Sequence, residues 1–190
     1  RNHILTSLNL YRNSAFITPE ELKMYDQFVA FINSSPDCFE RDHEGHVTGS
    51  AWVVSHDMRH VLLTHHKKLG IWIQLGGHAD GSSHMPTVAM KEAQEESGID
   101  NLTFVMEGIY DIDMHLIPNK CIAHYDIRYI IQAAPQAVYK VSHESHDLAW
   151  VPLEKISSYN NTPSIMRMAE KISLISAKKL LHQTLRIDAL

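Results

Sequence analysis

Leu75–Ile99 reads LGGHADGSSHMPTVAMKEAQEESGI: a double glycine, a turn-rich gap, three glutamates within five positions, and a further glycine. Pro86 is suited to open a helix, where its missing N–H costs nothing, and Gly98 to end it in a left-handed cap after Ser97. The ~12 residues between make about three turns. Glu92, Glu95 and Glu96 then stand at i, i+3 and i+4 on one side, where like charges repel. Val88, Ala89 and Ala93 supply a modest apolar surface for packing, and Lys91 is one cation against three carboxylates. A solvated acidic helix face is the plainer reading of KEAQEESG taken alone. Divalent ions offer the other: hard cations take carboxylate oxygens, and Mg²⁺ in particular binds alongside substrate phosphates.

The full spacing separates these readings. It runs Gly77, five residues, Ser83, seven residues, then Lys91-Glu92-Ala93-Gln94-Glu95-Glu96-Ser97-Gly98-Ile99. This resembles the Nudix box, G-x5-E-x7-R-E-U-x-E-E-x-G-U with U apolar, the signature of the Nudix hydrolase family. Gly77, Glu92, Glu95, Glu96 and Gly98 match outright, a coincidence on the order of one in several thousand from average residue frequencies. Ile99 fits its apolar slot, and Lys91 keeps the charge of the family's Arg. SAWVVS, VLLTHHKKLGIWIQLGGHADG, DIDMHLIP, HYDIRYII and WVPLEKI resemble a group of small bacterial Nudix proteins. The likeness thus spans most of residues 45–156 and takes in the N-terminal helix.

The resemblance implies an α+β chain folded as an α/β/α sandwich, with a mixed sheet between helices. It also implies cleavage of a nucleoside diphosphate linked to another moiety, by attack of water on phosphorus. Carried over by position, Glu92 and Glu96 are the main ligands of Mg²⁺ or Mn²⁺. Glu95 is a further ligand or orients a water, and the Gly76 carbonyl completes the inner shell. Gly76 and Gly77 suit a close approach of backbone to metal. Glu144, within SHESHD, stands where family members often place an extra acid that serves as base or ligand. His143 and His146 flank it as alternatives, and an ordinary surface-loop role is as good a reading. Two positions depart from the pattern: Ser83 replaces Glu, and Lys91 replaces an Arg whose planar, bidentate contact Lys cannot reproduce. Catalytic efficiency and metal stoichiometry stay open on that account.

Outside this segment the chain reads as one domain (46–190) with a helical extension (1–45) packed on it. TPEELKMYDQFVAFI is a helix: Thr18 caps it, Pro19 takes its first position, and Glu21 completes a capping box. Leu22, Tyr25, Val29 and Ile32 form its expected apolar face. TGSAWVVS and RHVLLTHH are predicted to form a hairpin, and GIWIQL to run as a strand into Gly76–Gly77. TFVMEGIYDIDMHLI, AHYDIRYIIQA and AVYKVS are further strand candidates. A last helix runs from Thr162–Pro163 to about Leu181 with Ile165, Met168, Ile172 and Ile175 on its stripe. That face fits either the domain or a twin subunit, which leaves a homodimer open.

YDIDMHL and AHYDIRYI alternate strictly. If they pair, Asp111, Asp113 and His115 share a face with His124, Asp126 and Arg128. Three readings compete: a solvated face with cross-strand ion pairs, a substrate pocket in which Arg128 grips phosphate with His115 and His124 beside it, or a separate His/Asp site for Zn²⁺ or Mn²⁺. His65, His66 and His78 surround the glycine loop as turn residues, and His78 also stands where it can face a phosphate. Trp52, Trp72 and Tyr125 suit either the core or stacking on a base.

Composition narrows the function class. A net charge of −5 among 190 residues argues against nucleic acid as the main partner. No apolar run approaches the ~20 residues of a membrane span. Cys38 and Cys121 lack metal-ligand spacing and read as reduced thiols of a cytoplasmic protein. The start RNHILTSLNLYRNSA lacks the order of a secretory signal, and a first residue other than Met leads to the expectation of missing residues upstream. The expected activity is a Mg²⁺- or Mn²⁺-dependent pyrophosphohydrolase acting on a small phosphoanhydride. The alternatives are a nucleotide-binding sensor with a weakened rate, and an enzyme like the isopentenyl diphosphate isomerases. The isomerase needs an acidic cysteine that neither Cys38 nor Cys121 supplies beside the box.

Overall fold

The computed structural model describes residues 1–41, 45–117 and 122–187. Helices α1 (Asn2–Arg12) and α2 (Pro19–Ser34) precede strand β1 (Gly45–Val54). Strands β2 (His60–His66), β3 (Trp72–Ile73) and β4 (Leu75–His78) lead into helix α3 (Met85–Ser97). Then come β5 (Leu102–Phe104), β6 (Asp111–Ile117), β7 (Ile122–Ala133) and β8 (Ser145–Pro152). A 3₁₀ turn, a short α4 (Ile156–Tyr159) and the long α5 (Pro163–Ile187) complete the order.

The sheet is mixed, as expected. Central β1 runs parallel to β7 along its whole length, from Gly45↔Ala123 to Val54↔Gln132, and pairs antiparallel with β4 on its other edge. β7 carries β6 and β5 antiparallel on its far side. Every residue of β1 is buried, which requires cover on both faces. Helix α3 provides it on one: a side chain at Gly49 would stand 2.9 Å from Val88, so the helix lies almost on the backbone.

The predicted β1–β2 hairpin forms, but only at its turn end. The two strands pair only at Val54↔Val61, next to the turn, and then part. On its other edge β2 pairs with β8, from His60↔Pro152 to His66↔Ser145, and β3 takes up the edge that β1 leaves. AVYKVS is not a strand: residues 137–142 run as irregular chain into β8.

The capping box of α2 forms as read, with Thr18 and Glu21 bonded reciprocally. Its buried stripe is Glu21, Tyr25, Phe28 and Ile32, while Leu22 is exposed. The stripe turns because Glu21 has partners inside. Its carboxylate accepts from Lys171 of α5 at 2.7 and 2.8 Å, from the Tyr11 hydroxyl of α1 at 2.6 Å, and from the backbone of Ile112 in β6 at 3.0 Å. A hydrophobicity pattern cannot register a buried carboxylate, and a buried carboxylate persists only when paired in this way. Ile165, Met168, Ile172 and Ile175 of α5 are buried within the chain, so that face docks on its own domain. Cys38 is buried and free, and Cys121 lies outside the described residues. Among the described residues no helix is long and apolar enough to cross a membrane.

Candidate active site at the double-glycine bend

β4 lies in register against β1, pairing Leu75, Gly76, Gly77 and His78 with Ala51, Ser50, Gly49 and Thr48. At Gly77 a Cβ would stand 2.5 Å from Oε2 of Glu92, so the α3 carboxylate occupies the space a side chain would need. At Gly76 a Cβ would stand 2.8 Å from Cα of Ser50. The bend therefore demands both glycines for contact reasons. As predicted, Pro86 sits in the first turn of α3, and Gly98 caps its end at φ 67° with its N–H bonded to the Gln94 carbonyl.

The three glutamates of α3 differ in environment. Glu96 is buried, and its Oε2 accepts from the Gly76 N–H at 3.2 Å. Burial pushes its carboxyl up to about 8, against the pull of that N–H and with the charges of Glu92 and Glu144 adding to the rise. Glu92 is half-buried and raised by burial, opposed by Lys91 and reinforced by Glu95 and Glu144. Glu95 is exposed and lies 3.6 Å from Lys91. Glu144 acts on both inner carboxyls from the loop before β8. That loop is tied to the β2–β3 turn, where the Lys67 N–H donates to the Glu144 carbonyl at 3.1 Å and the Lys67 ammonium to the His143 carbonyl at 2.7 Å. The structure thus brings Glu92, Glu96 and Glu144 into one field of excess negative charge, with Glu95 at its rim. Such a field favours a proton or a cation. An all-oxygen donor set fits a hard divalent ion such as Mg²⁺ or Mn²⁺.

The segment after the bend is built as well. Asp80 holds Arg41 through two bonds of 2.7 Å, and the Gly81 N–H donates to the Phe39 carbonyl at 3.0 Å. Ser83 lies half-buried just ahead of α3.

β6 and β7 do pair, placing Asp111 opposite Arg128, Asp113 opposite Asp126 and His115 opposite His124. Arg128 does not face a phosphate site. It is buried, its Nε donating to Asp126 at 2.7 Å and its terminal nitrogens to Asp111 at 3.2 Å and Asp113 at 3.1 Å. Burial would lower its pKa, but the three carboxylates more than offset this and hold it above the usual guanidinium range. Arg167 and Lys171 of α5 close the network on Asp111 with bonds of 2.7–2.8 Å. The solvated-face reading is corrected at this end of the strands: the ion pairs exist, but inside. The carboxylates of the suggested His/Asp metal site are likewise committed to cations.

The histidines gather elsewhere. His46 of β1, which the sequence reading passed over, lies within 4.6–4.9 Å, ring centre to ring centre, of His124 and His78. His115 is more exposed and sits 3.4 Å from Asp113. Burial lowers the pKa of His78, with Arg41 and His46 adding to the effect. His65 and His66 belong to β2 rather than to a turn; His65 stacks on Trp72 at 5.1 Å. Trp52 is core, and Tyr125 stacks on Phe31 at 3.9 Å. Two surface hollows, about 400 and 240 Å³, lie beside Pro86 and Phe104 and are not lined by Glu92, Glu95, Glu96 or Glu144.

No family model matches the sequence, and no curated protein does. Solved structures do match in shape. One is the C. elegans Ap4A hydrolase in a binary complex, 18% identical, covering 70% of this chain and 98% of that one at a TM-score of 0.59. A NUDIX-family hydrolase from Clostridium perfringens is 22% identical, covering 68% and 97% at 0.57. The MutT protein of Methanosarcina mazei Go1 is 21% identical, covering 71% and 95% at 0.52. The fold is that of the Nudix hydrolases.

Proposed function

We propose that this chain is a divalent-metal-dependent pyrophosphohydrolase that cleaves a small phosphoanhydride, a nucleoside diphosphate linked to another group being the leading class. One observation carries the reading: Glu96 is buried, bonded to the Gly76 N–H, and raised to about 8 beside Glu92 and Glu144. A structural carboxylate in such a place would have a cationic side chain as partner, as Glu21 does. Among the described residues Glu96 instead meets a backbone amide and the charges of other acids, which suits a centre that binds dications.

Glu92 and Glu96 would hold Mg²⁺ or Mn²⁺ together with the Gly76 carbonyl, and Glu95 would orient water at the rim. When bound, the ion supplies Lewis acidity toward phosphoanhydride oxygens and toward water. The chain's own part is positional. The Gly76 N–H fixes one oxygen of Glu96, and the space left by Gly77 fixes Glu92, so both donors are oriented before any ligand arrives. Glu144, exposed on its tethered loop, would accept the proton of the attacking water, a role supported by its charge acting on both Glu92 and Glu96. The substrate phosphates bring further negative charge, which this acidic site tolerates only through the ion.

The test is hydrolysis of nucleotide sugars, dinucleoside polyphosphates, nucleotide cofactors and oxidised nucleotides, with and without Mg²⁺ or Mn²⁺, read by separating the nucleotide products from the substrates. Metal-dependent turnover that vanishes in Glu96→Gln supports the proposal. Tight binding of a nucleotide with no turnover on any of them would favour the sensor.

A further inference from the structure

Three strands deliver one imidazole each to a single spot. The parallel register sets His46 of β1 directly beside His124 of β7, and the antiparallel register sets His78 of β4 across from Thr48. Because alternate residues of a strand share a face, His46 and Thr48 bring His124 and His78 together on the same side of the sheet. Ring centres lie 4.6 Å apart for His46–His124, 4.9 Å for His46–His78 and 5.4 Å for His78–His124. One nitrogen from each ring lies within 4.8 Å of the others, and His46 is buried while the other two are half-buried.

We infer that His46, His78 and His124 form a binding site for a borderline divalent transition metal, Zn²⁺ in the first instance, separate from the glutamate centre. Zn–N bonds of 2.0–2.1 Å set tetrahedral ligand nitrogens about 3.3 Å apart, a contraction that small side-chain rotations supply. Three imidazoles without a carboxylate or thiolate select nitrogen-loving late metals over Mg²⁺. Among the described residues the nearby acids are engaged by arginines, Asp113 and Asp126 by Arg128 and Asp80 by Arg41. Among the described residues His115, whose ring centre is 5.3 Å from that of His124, is a candidate fourth ligand, with water as the alternative.

The two centres share β4. Gly77 meets Glu92 on the α3 side, and His78, the next residue, projects to the opposite face. An ion held by His78 would therefore anchor the bend from behind, joining β1, β4 and β7 without touching the acidic donors.

Chelator-treated full-length protein titrated with Zn²⁺ alone, against a competing indicator, tests this. The expected result is one tight Zn²⁺ per chain, unchanged in Glu92→Gln and weakened at least about 100-fold in His78→Asn and in His124→Asn, with a wild-type melting temperature about 5 °C or more higher at saturation. Co²⁺ provides the second measurement: three imidazoles give the intense visible bands of a tetrahedral site, whereas oxygen ligation gives weak octahedral ones. That readout on the wild type still decides the matter if a histidine variant misfolds. Absence of tight Zn²⁺ binding, weak octahedral Co²⁺ bands, or binding lost in Glu92→Gln but kept in both histidine variants would overturn the inference.

Discussion

Replacing Glu96 by Gln separates what this side chain does for the fold from what it does for the reaction. Glutamine keeps an oxygen for the Gly76 N–H, which Glu96 accepts at 3.2 Å, and removes the charge. In the metal-free protein the Glu96 carboxyl titrates near about 8 instead of the usual 4.5. Between those values the folded chain keeps a proton that the unfolded chain has released, so stability falls as pH rises through the window. Each pH unit costs about 1.4 kcal/mol, and the accumulated penalty by pH 8 is roughly 4 kcal/mol. Glu96→Gln should remove that penalty. Measured by urea denaturation in chelator, the variant should match the wild type near pH 5 and exceed it by several kcal/mol near pH 8. Saturating Mg²⁺ should flatten the wild-type curve, because the ion stabilises the ionised form, and should do little for the variant. Turnover should fall on the order of 10³-fold, since charge stabilisation by a metal is worth several kcal/mol. Parallel stability–pH curves for the two proteins would refute the reasoning, whatever happened to activity.

Other substitutions probe the surrounding contacts. Gly77→Ala places a methyl 2.5 Å from Glu92 Oε2, and should cost about 1–3 kcal/mol while lowering Mg²⁺ affinity by titration calorimetry. Glu144→Gln should lower kcat and leave Mg²⁺ affinity nearly unchanged; unaltered turnover would remove Glu144 from the mechanism. Lys171→Met removes the cation 2.7 Å from Glu21, while Asp111 keeps Arg167 and Arg128, and should cost about 3–5 kcal/mol; combined with Glu21→Gln it should cost less than the sum of the two single changes. Chemical denaturation of the four proteins in that cycle reads the coupling directly.

The acidic centre was legible because its signals are local. Gly77, Pro86, Glu92, Glu96 and Gly98 act through one bend and one helix, and fixed spacing along a helix translates directly into position. The pairing of β6 with β7 was legible for the same reason, since strict alternation fixes which residues share a face. What escaped depends on strands distant in sequence. His46 reads as one more histidine after a loop until β1 is known to lie parallel to β7 and antiparallel to β4. Arg128 looks like a phosphate clamp until Arg167 and Lys171, some forty residues later, are seen covering the same carboxylates. The partner of β2 was missed because a hairpin is the cheapest closure of a short turn. Here β4 takes the rest of that edge of β1, β3 continues along the facing edge of β2, and β8 returns to cover the other edge of β2.

The link from Arg41 and Phe39 to Asp80 and Gly81 bears on any attempt to shorten this protein. A version trimmed to begin at β1 would retain every acidic donor and the whole of α3. It would nonetheless set free the residues following the double glycine, because their tethers sit in the discarded segment. Minimisation by sequence signature would thus preserve the reagents and discard the brace that keeps them aligned.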